Sequence, residues 1–426
     1  MASTVNFKLQ QLDHSTSHLI RRGALHFTKK DKLIQTPACL TYTLRGAVPH
    51  VVSDNLKQLP VELLQISLEQ FVEQREVSSF KYPHGLHKYL NLEENELMLY
   101  IKNYLLFCDM RDPHKHVPVS INSDKYLSVH THGGVRQITP DLWGQAIEAY
   151  KPDLCATPAD LVIEDEVKLK RVRRSVDRTL RWLDACLPKA QAAGVPVFAP
   201  VVGHHSEEDR AASATATAER DVQGFIINAF ELDKESLVQQ LKMSIEKLPN
   251  DKPRLVYGLA TPEKILEGVM NGVDLFDGSY AYKVTERGRA ITFKFGDGMP
   301  KDEPENLTKT VNLWDKSLAN SFEPIDSSCG CYACSNPHTK AYIHHLLNAH
   351  EMLGPLLLMS HNIYQLDLFM GAIRKSIEKN SFQQDTEAFM KHYSHEQEGD
   401  GMKSHEEEVD VESLGAPLKK KRTLLL

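Results

Sequence analysis

The stretch "PRLVYGLATPEKILEGVMNGVDLFDGS", residues 253–279, holds two short apolar runs separated by one helical pattern. The first run, "PRLVYGLA", is rich in β-branched and aromatic residues and reads as a strand. Thr261, Pro262 and Glu263 then supply an N-cap, a proline suited to the first helical position and a negative charge for the helix N-terminus. Gly272 closes the helix, and "VDLFDGS" from Val273 begins a second strand. Strand, helix and strand in so short a span, with both strands apolar on either face, require a parallel pair covered by a helix.

Upstream, the same unit recurs at "PDLCATP" from Pro152, "VPVFAPVV" from Val195 and "VQGFIINAF" from Val222. The intervening helices carry their own start signals, Thr139-Pro140-Asp141 and Ser206 before Glu207, Glu208 and Asp209. The repetition predicts an α/β protein, and the number of units favours a closed (β/α)8 TIM barrel over an open sheet. The first 130 residues are less regular. "GALHF" (23–27), "ACLTYTL" (38–44) and "KYLSVHT" (125–131) are expected to form hairpin decorations and the first barrel strands. The predicted organisation is a barrel with N-terminal β decorations over residues 1–320, a metal-binding subdomain with closing helices over 321–382, and an acidic then basic disordered tail over 383–426.

Composition excludes several classes. No apolar run approaches the roughly 20 residues of a membrane span. The N-terminus "MASTVNFKLQ" resembles neither a secretory signal nor a transit peptide, so a cytoplasmic protein is expected. Net charge is -7, and residues 396–412 alone carry eight acids against one lysine, leaving the remainder near neutral. Charge therefore permits an RNA role without indicating one. "VKLKRVRRSVDRTLRW" (167–182) places Lys168, Lys170, Arg171, Arg173, Arg174, Arg178 and Arg181 along one helix. These could contact RNA phosphates or form a solvated face. The terminal Lys419, Lys420, Lys421 and Arg422 resemble a nuclear-import cluster, although a solvated basic terminus is the simpler explanation.

Three of the seven cysteines fall within "CGCYAC", residues 329–334. Cys329, Cys331 and Cys334 are spaced as zinc ligands on one turn, and a single histidine completes a tetrahedron. His338, His344, His345, His350 and His361 are the candidates, and spacing does not choose among them. His361 is expected to open a second helix after a break at Gly354 and Pro355. Three thiolates and an imidazole leave no position for water, so the zinc is expected to be structural.

"CGCYAC", "AYIHHLLNAHEMLG", "HNIYQLDLFMGAIRKSI", "DKPRLVYGLATPEKILEGVMNGVDLFD" and "IQTPACL" together resemble the tRNA-guanine transglycosylases. These are (β/α)8-barrel enzymes that exchange guanine for a queuosine-type base at the tRNA wobble position. The resemblance covers roughly residues 20–382. It implies that the fourth metal ligand is His361, alongside Cys329, Cys331 and Cys334, holding one structural Zn2+.

The departures bear on activity. The family's nucleophilic aspartate falls on Asp277, but no Pro-Thr-Arg segment follows. Where the family has an Asp-Ser-Gly-Gly loop, "FCDMRDPHKHVPV" (107–119) stands. Where it has base-recognition motifs, the strand ends read "CATPAD", "VVGHH" and "NAFEL". Covalent base exchange needs a nucleophile, a proton donor and groups matched to the purine edge. Asp277 offers one of the three and is expected to be vestigial.

The resemblance thus implies a noncatalytic, accessory subunit that pairs with a catalytic queuine tRNA-ribosyltransferase as a heterodimer and helps bind tRNA. The alternative is a divergent transglycosylase, itself active through Asp277. The resemblance also implies peripheral association with the mitochondrial outer membrane, through a partner, because the terminal "TLLL" buries too little to anchor.

Overall fold

The computed structural model describes residues 4–11, 19–73, 77–92, 104–114, 121–131, 133–163, 167–228, 234–299 and 307–393. Its elements in chain order begin with β1 (Val5–Leu9), β2 (Gly23–Phe27), β3 (Lys32–Thr36), β4 (Ala38–Tyr42), α1 (Ser53–Leu56), β5 (Leu63–Ser67), α2 (Gly85–Tyr89) and β6 (Leu105–Asp109). Next come β7 (Leu127–Thr131), β8 (Gly134–Ile138), α3 (Pro140–Tyr150), β9 (Leu154–Ala156), α4 (Leu169–Ala193), β10 (Val197–Val201), α5 (Glu207–Ala218), β11 (Gly224–Asn228), α6 (Lys234–Ile245), β12 (Arg254–Tyr257), α7 (Pro262–Met270), β13 (Leu275–Asp277) and α8 (Ser279–Glu286). The chain continues through β14 (Arg289–Ile291), β15 (Thr310–Asn312), α9 (Tyr332–Ser335), α10 (Lys340–Asn348), α11 (Leu353–Glu378) and α12 (Phe382–His392).

Eight parallel strands close into the expected barrel, in the order β4, β5, β6, β9, β10, β11, β12, β13 and back to β4. Side-chain alternation divides the apolar residues in two. Leu40, Leu63, Leu105, Phe107, Leu154, Phe198, Ile226, Leu255 and Leu275 fill the bore, while their chain neighbours Leu64, Leu106, Ala199, Ile227, Val256 and Phe276 pack under the helices. The antiparallel sheet β1-β2-β3 adds Val5, Leu25, Phe27 and Ile34 to the bore cluster and so closes one end of the barrel. The opposite end, where the strands terminate, is the mouth.

"GALHF" lies in the closing sheet, "ACLTYTL" supplies the first barrel strand and "KYLSVHT" the β7-β8 hairpin. The barrel strands "LLQIS" and "LLFCD" were not anticipated, because each is buried along its whole length and lacks the alternation that marks a strand. The caps at Thr139 and Ser206 form, each side chain accepting from the backbone N–H three residues on. Thr261 precedes α7 as expected but makes no side-chain cap bond.

Two boundaries differ from expectation. Gly354 and Pro355 do not break the chain ahead of His361. They lie in the first turn of α11, where the proline's missing N–H has no intrahelical partner to lose, so His361 sits two turns further in. The chain also remains ordered past residue 383. α12 buries Phe382, Phe389 and Tyr393 against Phe293, Phe295 and Phe369, with the Phe293 and Phe389 ring centres 5.7 Å apart. Its sequence, "FQQDTEAFMKH", is polar on every face but one, and that face is invisible without its aromatic partners. The acidic stretch from Glu396, the Lys419–Arg422 cluster and the "TLLL" terminus lie outside the described residues.

Candidate functional site

The cysteine cluster occupies a turn that its own sequence shapes. Cys331 caps the short helix α9, its Sγ accepting from the N–H of Cys334, and Cys329 Sγ accepts from the N–H of Cys331, both at 3.4 Å. Gly330 between them leaves room for Tyr364, whose hydroxyl would lie 2.9 Å from an added Cβ. Beneath the turn, Ile343, Leu346 and Leu347 of α10 form one apolar face at helical spacing. They pack with Ala290, Leu313, Ile325, Leu357 and Leu358 in a core separate from that of the barrel.

His361 reaches this turn from α11 and is fully buried. Its Nδ1 lies 3.8 Å from Cys329 Sγ and 3.4 Å from the Sγ atoms of both Cys331 and Cys334. All four ligand atoms fall within 4.8 Å of one another. A tetrahedral zinc with bonds of about 2.3 Å to sulfur and about 2.0 Å to nitrogen would place S and N roughly 3.6 Å apart, so the group could hold such an ion. The other ring nitrogen, Nε2, donates to the carbonyl of Ile291 at 2.8 Å, which leaves Nδ1 free to ligate. The next residue, Asn362, accepts from the Ile291 N–H at 2.8 Å and donates to Thr285 and to the Arg289 carbonyl. Two adjacent side chains therefore grip β14 and tie the cluster to the barrel through α8. Sequence spacing gave no hint of Asn362.

The remaining candidate histidines are elsewhere. His344 Nδ1 bonds the Leu313 carbonyl, His338 stacks on Tyr342, and His345 and His350 are exposed.

At the barrel mouth, Asp277 ends β13 with its side chain in the bore and 1% of its surface exposed. Its carboxylate accepts from the N–H of Gly258, from the N–H of Ser279 at 3.3 Å and from the Ser279 hydroxyl at 2.5 Å. Burial raises its pKa, although these bonds oppose the shift. The mouth holds a second buried acid, within "FCDMRDPHKHVPV". Asp109 ends β6, accepts from Gln65 Nε2 at 3.0 Å and from the N–H of Met110 at 2.6 Å, and is pushed up by burial to about 6. Tyr257, at the end of β12, is buried near enough to Asp109 for the two to interact electrostatically. β6 and β12 stand four strands apart in a ring of eight, so the two side chains approach from opposite sides of the bore.

Around the rim some polar groups are paired within the chain, while Gln65 Oε1, Ser67 Oγ, Thr157 Oγ1 and Asn228 Nδ2 are buried without a hydrogen bond. Tyr42 and Gln70 both donate to Asp112, at 3.1 and 2.7 Å. Past "CATPAD", Asp160 is fully buried and bound by Arg171 and Arg178. After "VVGHH", Arg210 is buried and donates to the carbonyls of His204 and Asn228 and to Gln240. Of "NAFEL", only Asn228 is described. A cavity of about 30 Å³ beside Gly203, His204, Arg210 and Asn228 has room for two or three waters, at roughly 10–15 Å³ each.

Four of the seven cations on the basic helix are likewise engaged. Arg171 and Arg178 bind Asp160, Arg178 and Arg181 bind Asp124, and Arg173 faces Glu208 and Asp209. Lys168, Lys170 and Arg174 have no acidic partner among the described residues.

The family model described as queuine tRNA-ribosyltransferase matches residues 16–395, most of the chain. The chain belongs to the queuine tRNA-ribosyltransferase family. Among its relatives, the human "Queuine tRNA-ribosyltransferase accessory subunit 2" is 31% identical over 394 residues, covering 83% of this chain and 92% of the relative. The Xenopus tropicalis protein of the same name is 32% identical over 387 residues, covering 82% and 90%. That of Trichoplax adhaerens is 30% identical over 391 residues, covering 89% and 98%. Within the queuine tRNA-ribosyltransferase family, then, this chain is similar to proteins named as accessory subunits. Among the described residues, no helix is long and apolar enough to cross a membrane.

Proposed function

We propose that this chain is the noncatalytic subunit of a heterodimeric queuine tRNA-ribosyltransferase, pairing with a catalytic subunit and helping to hold tRNA during exchange of guanine for queuine. The observation that carries this reading is that the carboxylates at the mouth are held by the chain's own donors. A nucleophilic carboxylate must present a lone pair to an approaching anomeric carbon. Asp277 is held by Gly258 and Ser279, Asp109 by Gln65 and Met110, and Asp160 by two arginines. The names of the relatives support the same conclusion.

The ligand set Cys329, Cys331, Cys334 and His361 is proposed to hold one zinc ion. Bound there, zinc would cross-link the α9 turn to α11 with every coordination position taken by protein, a structural role. The division at 320/321 is retained as a proposed boundary, and the folded part is extended through α12. The setting is proposed as cytoplasmic, any mitochondrial outer-membrane association being peripheral and through the partner.

Queuine incorporation by this chain alone, by the catalytic subunit alone and by their mixture tests the reading. Activity is expected only with the catalytic subunit present, rising in the mixture, and unchanged when the mixture contains Asp277→Asn. Turnover by this chain alone, lost in Asp277→Asn together with a trapped RNA adduct, would establish the active-enzyme alternative.

A further inference from the structure

We propose that the outward face of α4 is the surface by which this chain holds RNA: Lys168, Lys170 and Arg174, with Lys125 beside them, form a stripe of uncommitted cations that takes backbone phosphates of the tRNA. This rests on the noncatalytic reading and deepens it, by assigning the tRNA-holding role to named side chains.

The structure sorts the cations of α4 by face. Arg171 and Arg178, seven positions apart, turn inward to the buried Asp160 and fasten the helix to the end of β9. Their task is structural. Arg173 and Arg181 are exposed but engaged, by Glu208 and Asp209 and by Asp124. Lys168, Lys170 and Arg174 are exposed and have no acidic partner among the described residues. Neither has Lys125, which adjoins Asp124 in the loop held by Arg178 and Arg181. One exposed acid, Asp177, lies between Arg174 and Arg181.

Position and spacing fit a polyanion. α4 follows β9 and runs back antiparallel to it, so its first turns lie at the mouth end of the barrel. Lys170 and Arg174 stand one turn apart on one face, with roughly 5–6 Å between their Cβ atoms, close enough to meet neighbouring phosphates of one strand. The first turn of α4 holds no acid, so its cations oppose the helix dipole, an imbalance that a bound anion relieves. The single aromatic residue of α4, Trp182, is buried, so the stripe has no ring on which a base could stack. It therefore grips backbone, a contact that positions an RNA without reading its sequence. tRNA is the polyanion this complex would meet, the relatives being named for a tRNA-ribosyltransferase.

The test is the salt dependence of tRNA binding by the complex with the catalytic subunit, followed by fluorescence anisotropy from about 50 to about 200 mM salt. Each phosphate contact adds about 0.7–0.9 to the slope of log affinity against log salt. Lys170→Ala combined with Arg174→Ala should lower that slope by roughly 1.4–1.8, equally for unrelated RNA sequences. The charge-keeping pair Lys170→Arg and Arg174→Lys should leave it unchanged. An unchanged slope in the alanine variant would overturn the proposal, as it would be if Glu164, Asp165 and Glu166, which precede the stripe in sequence, already neutralised it. An alanine variant that no longer pairs with the catalytic subunit by native mass also overturns it, because α4 would then be a protein interface. Loss of binding to phosphatidylserine vesicles with no change in the tRNA slope overturns it in favour of a membrane contact. None of these results depends on whether this chain turns over by itself, so the noncatalytic reading stands or falls separately.

Discussion

Asp109→Asn should make the chain less sensitive to pH, and the size of the effect follows from the burial of one carboxyl group. In the folded protein that group titrates near 6 instead of its ordinary 3.8, because burial penalises the charged form more than Gln65, the Met110 N–H and Tyr257 favour it. A carboxyl raised on folding contributes stability that is fully present below its unfolded pKa and is lost as pH rises through the folded one. The full span of the shift corresponds to about 3 kcal/mol, of which about 1.4 kcal/mol falls between pH 5 and pH 8. Asparagine keeps the shape and cannot ionise. Urea unfolding of both proteins at intervals from pH 5 to pH 8 is the assay. The stability of the unaltered chain relative to Asp109→Asn should decline by roughly 1.4 kcal/mol across that range, whatever constant offset the substitution introduces. Parallel pH profiles would refute the reasoning. They would mean that Asp109 titrates at the mouth as it does in the unfolded chain, and so that the mouth is open to water.

The other expectations concern the metal corner, the buried ion cluster and the last helix. Cys331→Ser should abolish stoichiometric zinc by elemental analysis and impair pairing with the catalytic subunit by native mass measurement; full zinc content and normal dimer mass would reject the ligand set. Asp160→Asn leaves Arg171 and the buried Arg178 without their shared carboxylate, and should cost about 3–5 kcal/mol in denaturant unfolding. A loss below about 1 kcal/mol, the range of exposed pairs, would show that water already reaches those arginines. Phe389→Ala removes a fully buried ring and should cost about 3–5 kcal/mol, whereas a residue in a disordered tail would show no change.

The physics of the chain divides between near neighbours and distant ones. The repeated strand-helix unit and the three-cysteine turn are local features. Runs of alternating apolar and capping residues, and thiols two and three positions apart, declare themselves over a few residues, because the forces behind them act between near neighbours. The fourth ligand was a different matter. Spacing left five histidines open, and only family likeness pointed to His361, because α11 brings it to the turn from 27 positions beyond Cys334.

Asn362, Asp109 and Tyr257 carried no signal at all in the sequence. An aspartate at a strand end looks the same whether it faces water, a substrate or a tyrosine. Closure of the barrel brought the third and seventh strands face to face and set Tyr257 against Asp109, a pairing between residues 148 positions apart by their numbers. The chain by itself therefore determined that there would be a barrel and a thiol-rich turn. Which side chains meet inside that barrel was decided only in three dimensions, because contact across a bore depends on which strands the closed sheet places opposite each other.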